Sequence, residues 1–367
     1  MTDPLANEKT CPRTEPAVVG TVAGPDCLPV AESADEPVRQ FASGSRTGAA
    51  AWWNLAAADG PVLGSGNGPA DQPSMVMADG QQIGARHSAP GAGARAARRL
   101  AGIAAARLAD APAAAEEQLR RALVVGAGEL GGRELATMRT RLVTAVAAQR
   151  GRDRDVARAA ALAAACWQPI SQADSIHLWL VAGRAWHRAG KHAEAVSAFD
   201  RPLLTATVGY PPAELALVRA QFAESLNHLG RYRQAAWQFA EAARLIERSP
   251  AQRRHHADLV WSAAVARECC GQESEALGGY LRAAGLWGEQ DKIVPRARCL
   301  RAAAWLQLRG PGGRARGPWW VTIDVLMAEL HRRVAAEPAA HLVEELERTR
   351  AQFAQMCAQA SASLERE

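Results

Sequence analysis

The sequence predicts an all-α protein, a solenoid of stacked helix-turn-helix repeats, on three observations. A Gly or Asp recurs at Asp110, Gly151, Gly190, Gly230, Gly271 and Gly310, 39–41 residues apart. Five residues after each stands a small residue (Ala115, Val156, Ala195, Ala235, Ala276, Ala315). Four later comes Leu119, Phe199, Phe239, Tyr280 or Trp319, with Ala160 as the exception. Prolines fall between these units in a common phase, at Pro169, Pro211 and Pro212, Pro250, and Pro295. A period of this length marks units that bury their apolar faces only against neighbours. Proline is excluded from helix interiors but accepted in a first turn, so it marks where one hairpin hands over to the next.

Composition agrees. The chain has 367 residues, 48% hydrophobic but only 5% aromatic, which suits an Ala-rich helical protein and not a disordered one. Charges interrupt every apolar run before it could span a bilayer. The start, Met1-Thr2-Asp3-Pro4, lacks the basic and apolar segments of a secretory signal, so a soluble cytoplasmic protein with no membrane contact is expected. Seven cysteines, odd in number and without paired spacing, read as reduced thiols. Only Lys9, Lys191 and Lys292 are lysines; the Arg, Ala and Gly bias suggests a GC-rich genome of actinobacterial type. Net charge is +5, but residues 1–90 carry −5 and the remainder +10. Opposite signs on a tail and a folded body favour transient contact, screened beyond a Debye length of about 8 Å.

Residues 1–90 are rich in Pro, Gly, Ser and Asp without a sustained period, and are expected to form a disordered acidic tail. Within it, Ala49 to Ala58 surround Trp52 and Trp53, a short apolar island that would become helical mainly on a partner surface. Helical periodicity starts near Ala94, with Arg95 to Ala109 and Pro112 to Val125 forming the first hairpin. A Gly-rich break from Gly126 to Gly132 comes next. Ser249-Pro250 reads as an N-cap followed by the first helical position. At the C-terminus, Leu342, Leu346, Thr349, Phe353, Met356, Ala360 and Ser363 alternate in steps of four and three. The stripe reads as a capping helix, apolar toward the last repeat, with a coiled-coil dimer as the sharper alternative.

These residues resemble the tetratricopeptide repeat, whose pattern is Trp-x2-Leu-Gly-x2-Tyr followed by Ala-x3-Phe. The third hairpin matches best, with Trp179, Ala182, Gly183 and Trp186, then Ala195 and Phe199. Small Gly183 and Ala195 are expected where two helices cross closely, with Trp179, Trp186 and Phe199 filling the space around the crossing. The fourth keeps Phe222, Ala223, Leu226, Gly230, Ala235 and Phe239. The fifth keeps Ala263, Ala264, Gly271, Ala276 and Tyr280, with Arg267 at a position expected to be apolar. The second is weak, with Thr144 and Ala160, and Gly310-Pro311-Gly312-Gly313 breaks the register of the sixth. The forty-residue period exceeds the family's 34 and is similar to kinesin light chain repeats. Pro202 is expected to shorten its helix. The resemblance implies a right-handed solenoid over residues 91–335, capped by residues 336–367.

By the same resemblance, first helices line a concave groove that receives a peptide or helix of another protein. The candidates are Arg184, His187, Arg188, Glu224, Asn227, His228, Trp261 and Glu268. Arg can hold a carboxylate through two bonds, and Trp261 offers an apolar anchor. The Lys and Asn pairs of the carboxylate clamp in chaperone-binding relatives are missing. No cofactor, metal or catalytic residues are expected. His187 with His192, His255-His256 and Cys269-Cys270 lack ligand spacing, and Cys269, Cys270 and Cys299 read as buried fillers. Gly126-x-Gly128-x2-Gly131 comes after a helix end instead of a strand, so it is no dinucleotide loop. The expectation is a non-catalytic interaction module, regulated by its own tail. Nucleic-acid binding is the alternative, opposed by Glu interleaved with Arg, and an enzyme with an unrecognised site is the third reading. The oligomeric state is left open.

Overall fold

A computed structural model describes residues 91–205, 210–310 and 317–364. The acidic tail with Trp52 and Trp53, and Ala315, lie outside the described residues. Every regular element described is helical. The helices run in pairs: α1 (Ala92–Arg107) with α2 (Pro112–Val125), α3 (Gly132–Ala147) with α4 (Asp153–Trp167), and α5 (Gln172–Arg188) with α6 (His192–Thr205). Next come α7 (Pro212–His228) with α8 (Tyr232–Ile246), α9 (Arg253–Cys269) with α10 (Glu273–Glu289), and α11 (Ile293–Arg309) with α12 (Pro318–Ala336). A last helix, α13 (Ala340–Leu364), completes the order. Each packs on its successor, and α5 also touches α7 as α11 touches α13, which is the stacking of an α-solenoid.

The turn glycines act as the period predicts. Gly151, Gly190, Gly230 and Gly271 all have φ between 67° and 78°, a conformation that an L side chain resists. After three of them the chain closes the preceding helix identically. The amides of Lys191, Arg231 and Gln272 donate to the carbonyls of Trp186, Leu226 and Arg267, each at 2.9 Å. These bonds satisfy carbonyls that a helix end otherwise leaves bare. Gly310 departs from the expectation: at φ −74° and ψ 171° it is extended, so α11 ends without the left-handed turn.

Sterics fix the crossings. A Cβ on Gly183 would stand 2.6 Å from Phe199 Cδ1, and one on Gly279 would stand 2.8 Å from Ala264 Cβ. Ala195, Ala235, Ala276 and Phe199 are wholly buried, and Phe239 and Tyr280 are nearly so. Pro112, Pro212 and Pro318 open their helices, where the missing N–H costs nothing. Two local expectations need correction. Pro250 opens a 3-10 turn, Pro250–Gln252, ahead of α9, and the Ser249 side chain makes no cap bond. Pro202 lies inside α6, which continues past it to Thr205.

The C-terminal stripe turns inward. Leu342, Leu346, Met356 and Ala360 join Trp319, Ile323, Leu326 and Leu330 of α12 in one apolar cluster with Ala297, Ala304 and Leu308 of α11. Phe353 packs on the Trp319 and Trp320 rings. Among the described cysteines only Cys299 is a buried filler; Cys270 is part-buried and Cys269 exposed. Neighbours on a helix point about 100° apart, so both of that pair cannot face the core. No helix among the described residues is long and apolar enough to cross a membrane.

Candidate functional site

On α7 the only residues between Leu215 and Leu226 that are not buried are Leu217, Gln221 and Glu224. Extended to Glu214 and His228, they form one stripe in steps of three and four, a single helix face. The same stripe lies forty residues earlier on α5 as Asp174, His177, Val181, Arg184 and Arg188, all exposed or part-buried. On α9 it returns as His255, Asp258, Ser262, Val265 and Cys269, again open or half-open. Three successive first helices therefore show solvent the same face. Of the residues expected in the groove, Arg184, Arg188, Glu224 and His228 fall on this stripe. His187, Asn227 and Glu268 flank it one residue away, and Trp261 one residue before Ser262. Asp174, His177, Gln221 and Asp258 were not expected; stepping back from Arg184 by three and four residues along the helix face, and then onward by the repeat of about forty, finds them.

Several of these side chains are already engaged. His187 is held between helices, its Nδ1 3.0 Å from Ser225 Oγ and its Nε2 3.1 Å from Glu224. Arg188 donates to Asp153 at the start of α4, at 2.8 Å. Glu268 accepts from the Tyr280 hydroxyl at 2.7 Å and from Arg309. His228 stacks on His192 with ring centroids 3.9 Å apart, and His187 meets His192 edge-on at 5.8 Å. Burial, with the adjacent His228 and His187, holds the His192 pKa below the usual imidazole value. Burial likewise depresses His177, whose Nδ1 is 3.1 Å from the Tyr210 hydroxyl. The Asp258 carboxyl is pushed up to about 6 by burial, against the pull of Arg254 and Arg298. The Arg298 guanidinium lies over the Trp261 ring, 5.6 Å from its centroid.

Other groups on this face have no partner among the described residues. The buried Arg184 Nε, the amide oxygens of Gln221 and Asn227, and the Trp261 Nε1 make no hydrogen bond. A buried polar atom left unpaired typically costs about 1–3 kcal/mol. Here donors and acceptors in that condition come from α5, α7 and α9, three consecutive first helices. Burial lowers the Arg184 pKa, as does the nearby Arg188, while Glu214 acts in the opposite sense. No group of three His, Cys, Asp or Glu side chains among the described residues has an arrangement that would hold a metal ion.

The stripe continues on α11 as Pro295, Arg298, Ala302, Trp305 and Arg309, all exposed or part-buried. Ala297, Arg301, Ala304 and Leu308 lie on the buried side of that helix. There Arg301 bonds to Glu345 of α13, and its Nη1 donates to Thr349 Oγ1 at 3.1 Å. Arg348 reaches the other Glu345 oxygen at 3.3 Å.

No protein-family model matches the sequence, and no curated protein does either. Among solved structures, the chain is similar in arrangement to the apo form of RapI, at 10% identity and a TM-score of 0.40 over 74% of this chain and 99% of that one. A tetratricopeptide repeat protein from Parabacteroides merdae is similar at 15% identity and a TM-score of 0.38, over 73% and 90%. A Podosopora anserina kinesin light chain of nearly identical TPR-like repeats gives 13% and 0.39, over 53% and 96%.

Proposed function

We propose that the aligned face of α5, α7 and α9 is a docking surface for a peptide or helix of another protein, and that the chain works as a non-catalytic interaction module. The observation that carries this reading is the set of buried, unpaired donors and acceptors on Arg184, Gln221, Asn227 and Trp261. A polypeptide offers N–H and C=O groups along its length and could satisfy both kinds. The residues around them, Arg188, Glu224, His228 and Glu268, form a rim whose charges are mixed in sign, which fits a protein partner better than a phosphate backbone. In the finer version residues 1–90, with Trp52 and Trp53, compete for the same face until a partner displaces them.

The test is site-specific photocrosslinking in the native host. A crosslinker at Gln221 or Ser262 should capture a partner, whereas one at Trp237 on α8 or Leu162 on α4 should not. Capture mainly from the second-helix positions would remove the reading. For the tail, deleting residues 1–90 should tighten partner binding; unchanged affinity together with unchanged exchange protection over residues 175–290 would dispose of its role.

A further inference from the structure

Helix α12 buries one side, from Trp319 to Leu330, in the last apolar cluster. On its other side Val321, Val325, Ala328, Arg332 and Ala335 follow one another in steps of four and three, with Asp324 beside Val325, and all six are exposed. Val321 keeps 62% of its surface in solvent and Val325, one turn on, 57%. On α4, α8 and α10 a single large apolar side chain is exposed: Leu162, Trp237 and Leu281. Single ones are ordinary on a protein surface, and Trp237 in addition has the Arg219 guanidinium 5.6 Å from its ring centre. Two valines stacked on one face are a patch.

The charges of α12 divide in the same way. Glu329 and Arg333 are held within the chain, by Arg296 and Asp291. Asp324 and Arg332, on the exposed stripe, have no ion pair or side-chain hydrogen bond among the described residues. Eight residues apart, about 12 Å along the axis, they cannot reach each other. The stripe is nevertheless complementary to itself when reversed. A two-fold axis through Ala328 sets Val321 of one copy against Ala335 of the other and Asp324 against Arg332, whose methylene stem then covers Val325. The small side chain of Ala328 stands on the axis, where two helices of the same chain approach most closely.

We propose that the exposed face of α12 is a homodimer contact, in which a second copy of this chain lies antiparallel on it and two Asp324–Arg332 pairs flank an apolar centre. One pair of helices buries less than the roughly 1,200 Å² at the lower end of stable interfaces, so the dimer is a dissociable one. The contact lies on a second helix and does not depend on the docking reading above.

The test is sedimentation equilibrium of the full-length chain between about 1 and 100 μM, the range in which a contact of this size should associate. Wild type should follow a reversible monomer–dimer equilibrium that weakens with added salt. Val325→Asp places a charge in the apolar centre and should weaken the dimer about a hundredfold or more. Asp324→Arg and Arg332→Asp each turn two attractive pairs into two repulsive ones, and each should weaken it about tenfold. Mixed in equal amounts, these two variants should form a heterodimer about as tight as wild type, because every Arg again meets an Asp; thermal melts confirm that each is folded. A wild-type chain that stays monomeric throughout overturns the proposal, as does a dimer that Val325→Asp leaves intact. Folded charge variants that fail to associate when mixed overturn the antiparallel pairing and the proposal with it.

Discussion

Arg184 and Arg301 sit on different faces of two first helices; the buried Nε of one makes no hydrogen bond, and the other is bonded to Glu345 and Thr349. The difference is what lies against them. Against α11 the chain places α13, which completes the polar contacts of Arg301. Against α5 it places α7, which engages His187 through Ser225 and Glu224 and leaves Arg184 Nε without a hydrogen bond. Buried ionic groups add little to stability even when paired, but leaving one partner alone is strongly destabilising. The unbonded Arg184 Nε is a group that the proposed docking would satisfy.

Stability measurements can break this comparison. The largest effect is expected on α11. Arg301→Met strands the buried Glu345 carboxylate with only Arg348 beside it, and should cost about 3 kcal/mol in chemical denaturation. A loss near zero would mean that Arg301 is no better satisfied than Arg184.

Next is the seat of α5. Gly183 precedes Arg184, and its closeness to Phe199 sets how deeply the helix sinks against α6. Gly183→Ala should overpack that crossing and cost about 1–3 kcal/mol, since the wholly buried Phe199 ring has nowhere to move. The same variant should raise amide exchange in α5 while leaving α13 protected.

Arg184→Met should go the other way, leaving the stability of the isolated chain unchanged or higher by up to about 1 kcal/mol, because it removes an unsatisfied buried donor. Opposite signs for the two Arg→Met changes are the clearest expression of the contrast. Matching losses would erase it.

The smallest effect is in pH. His177, His192, His255 and His256 are all held below the ordinary value of 6.5 by burial. A depressed pKa means that the unfolded chain takes up protons first, so their contribution is present above about pH 6.5 and is lost as pH falls toward the folded values. Asp258 opposes this: its carboxyl, raised to about 6, protonates earlier in the folded chain and adds stability as pH falls from there toward 3.8. Melting temperature should therefore decline modestly on mild acidification, less in His192→Gln and more in Asp258→Asn. Exchange should rise around α5 to α7 before it does around α11 to α13.

The forty-residue frame was legible because it rests on local sterics. A left-handed turn demands glycine, and a close crossing demands a small residue opposite a ring; Gly190, Gly183 and Phe199 announce both without any tertiary knowledge. Arg184, Glu224 and His228 were legible as one face by the same step. Arg301 was not. In sequence it is one more arginine on a helix, and its burial depends on Glu345, 44 residues away. Gly310 carried the expected phase but not the expected geometry: its backbone is extended, and the next helix begins only at Pro318. Cys269 was misjudged for want of the helical phase that turns it outward beside Cys270.

The glycines fall into two kinds with different futures. At Gly190, Gly230 and Gly271 an added methyl would touch nothing, so backbone conformation alone restricts the choice. The turn after α10 already shows the loophole: Asp291 adopts φ 55° there, and Lys292 donates to Trp287 in the same pattern at 3.0 Å. Asparagine and aspartate can thus drift into the turn positions over evolutionary time at modest penalty. At Gly183 and Gly279 a neighbouring side chain already fills the space, and no such drift is open. A search for distant cousins of this chain should accordingly weight the glycine buried inside the helix above the one that ends it.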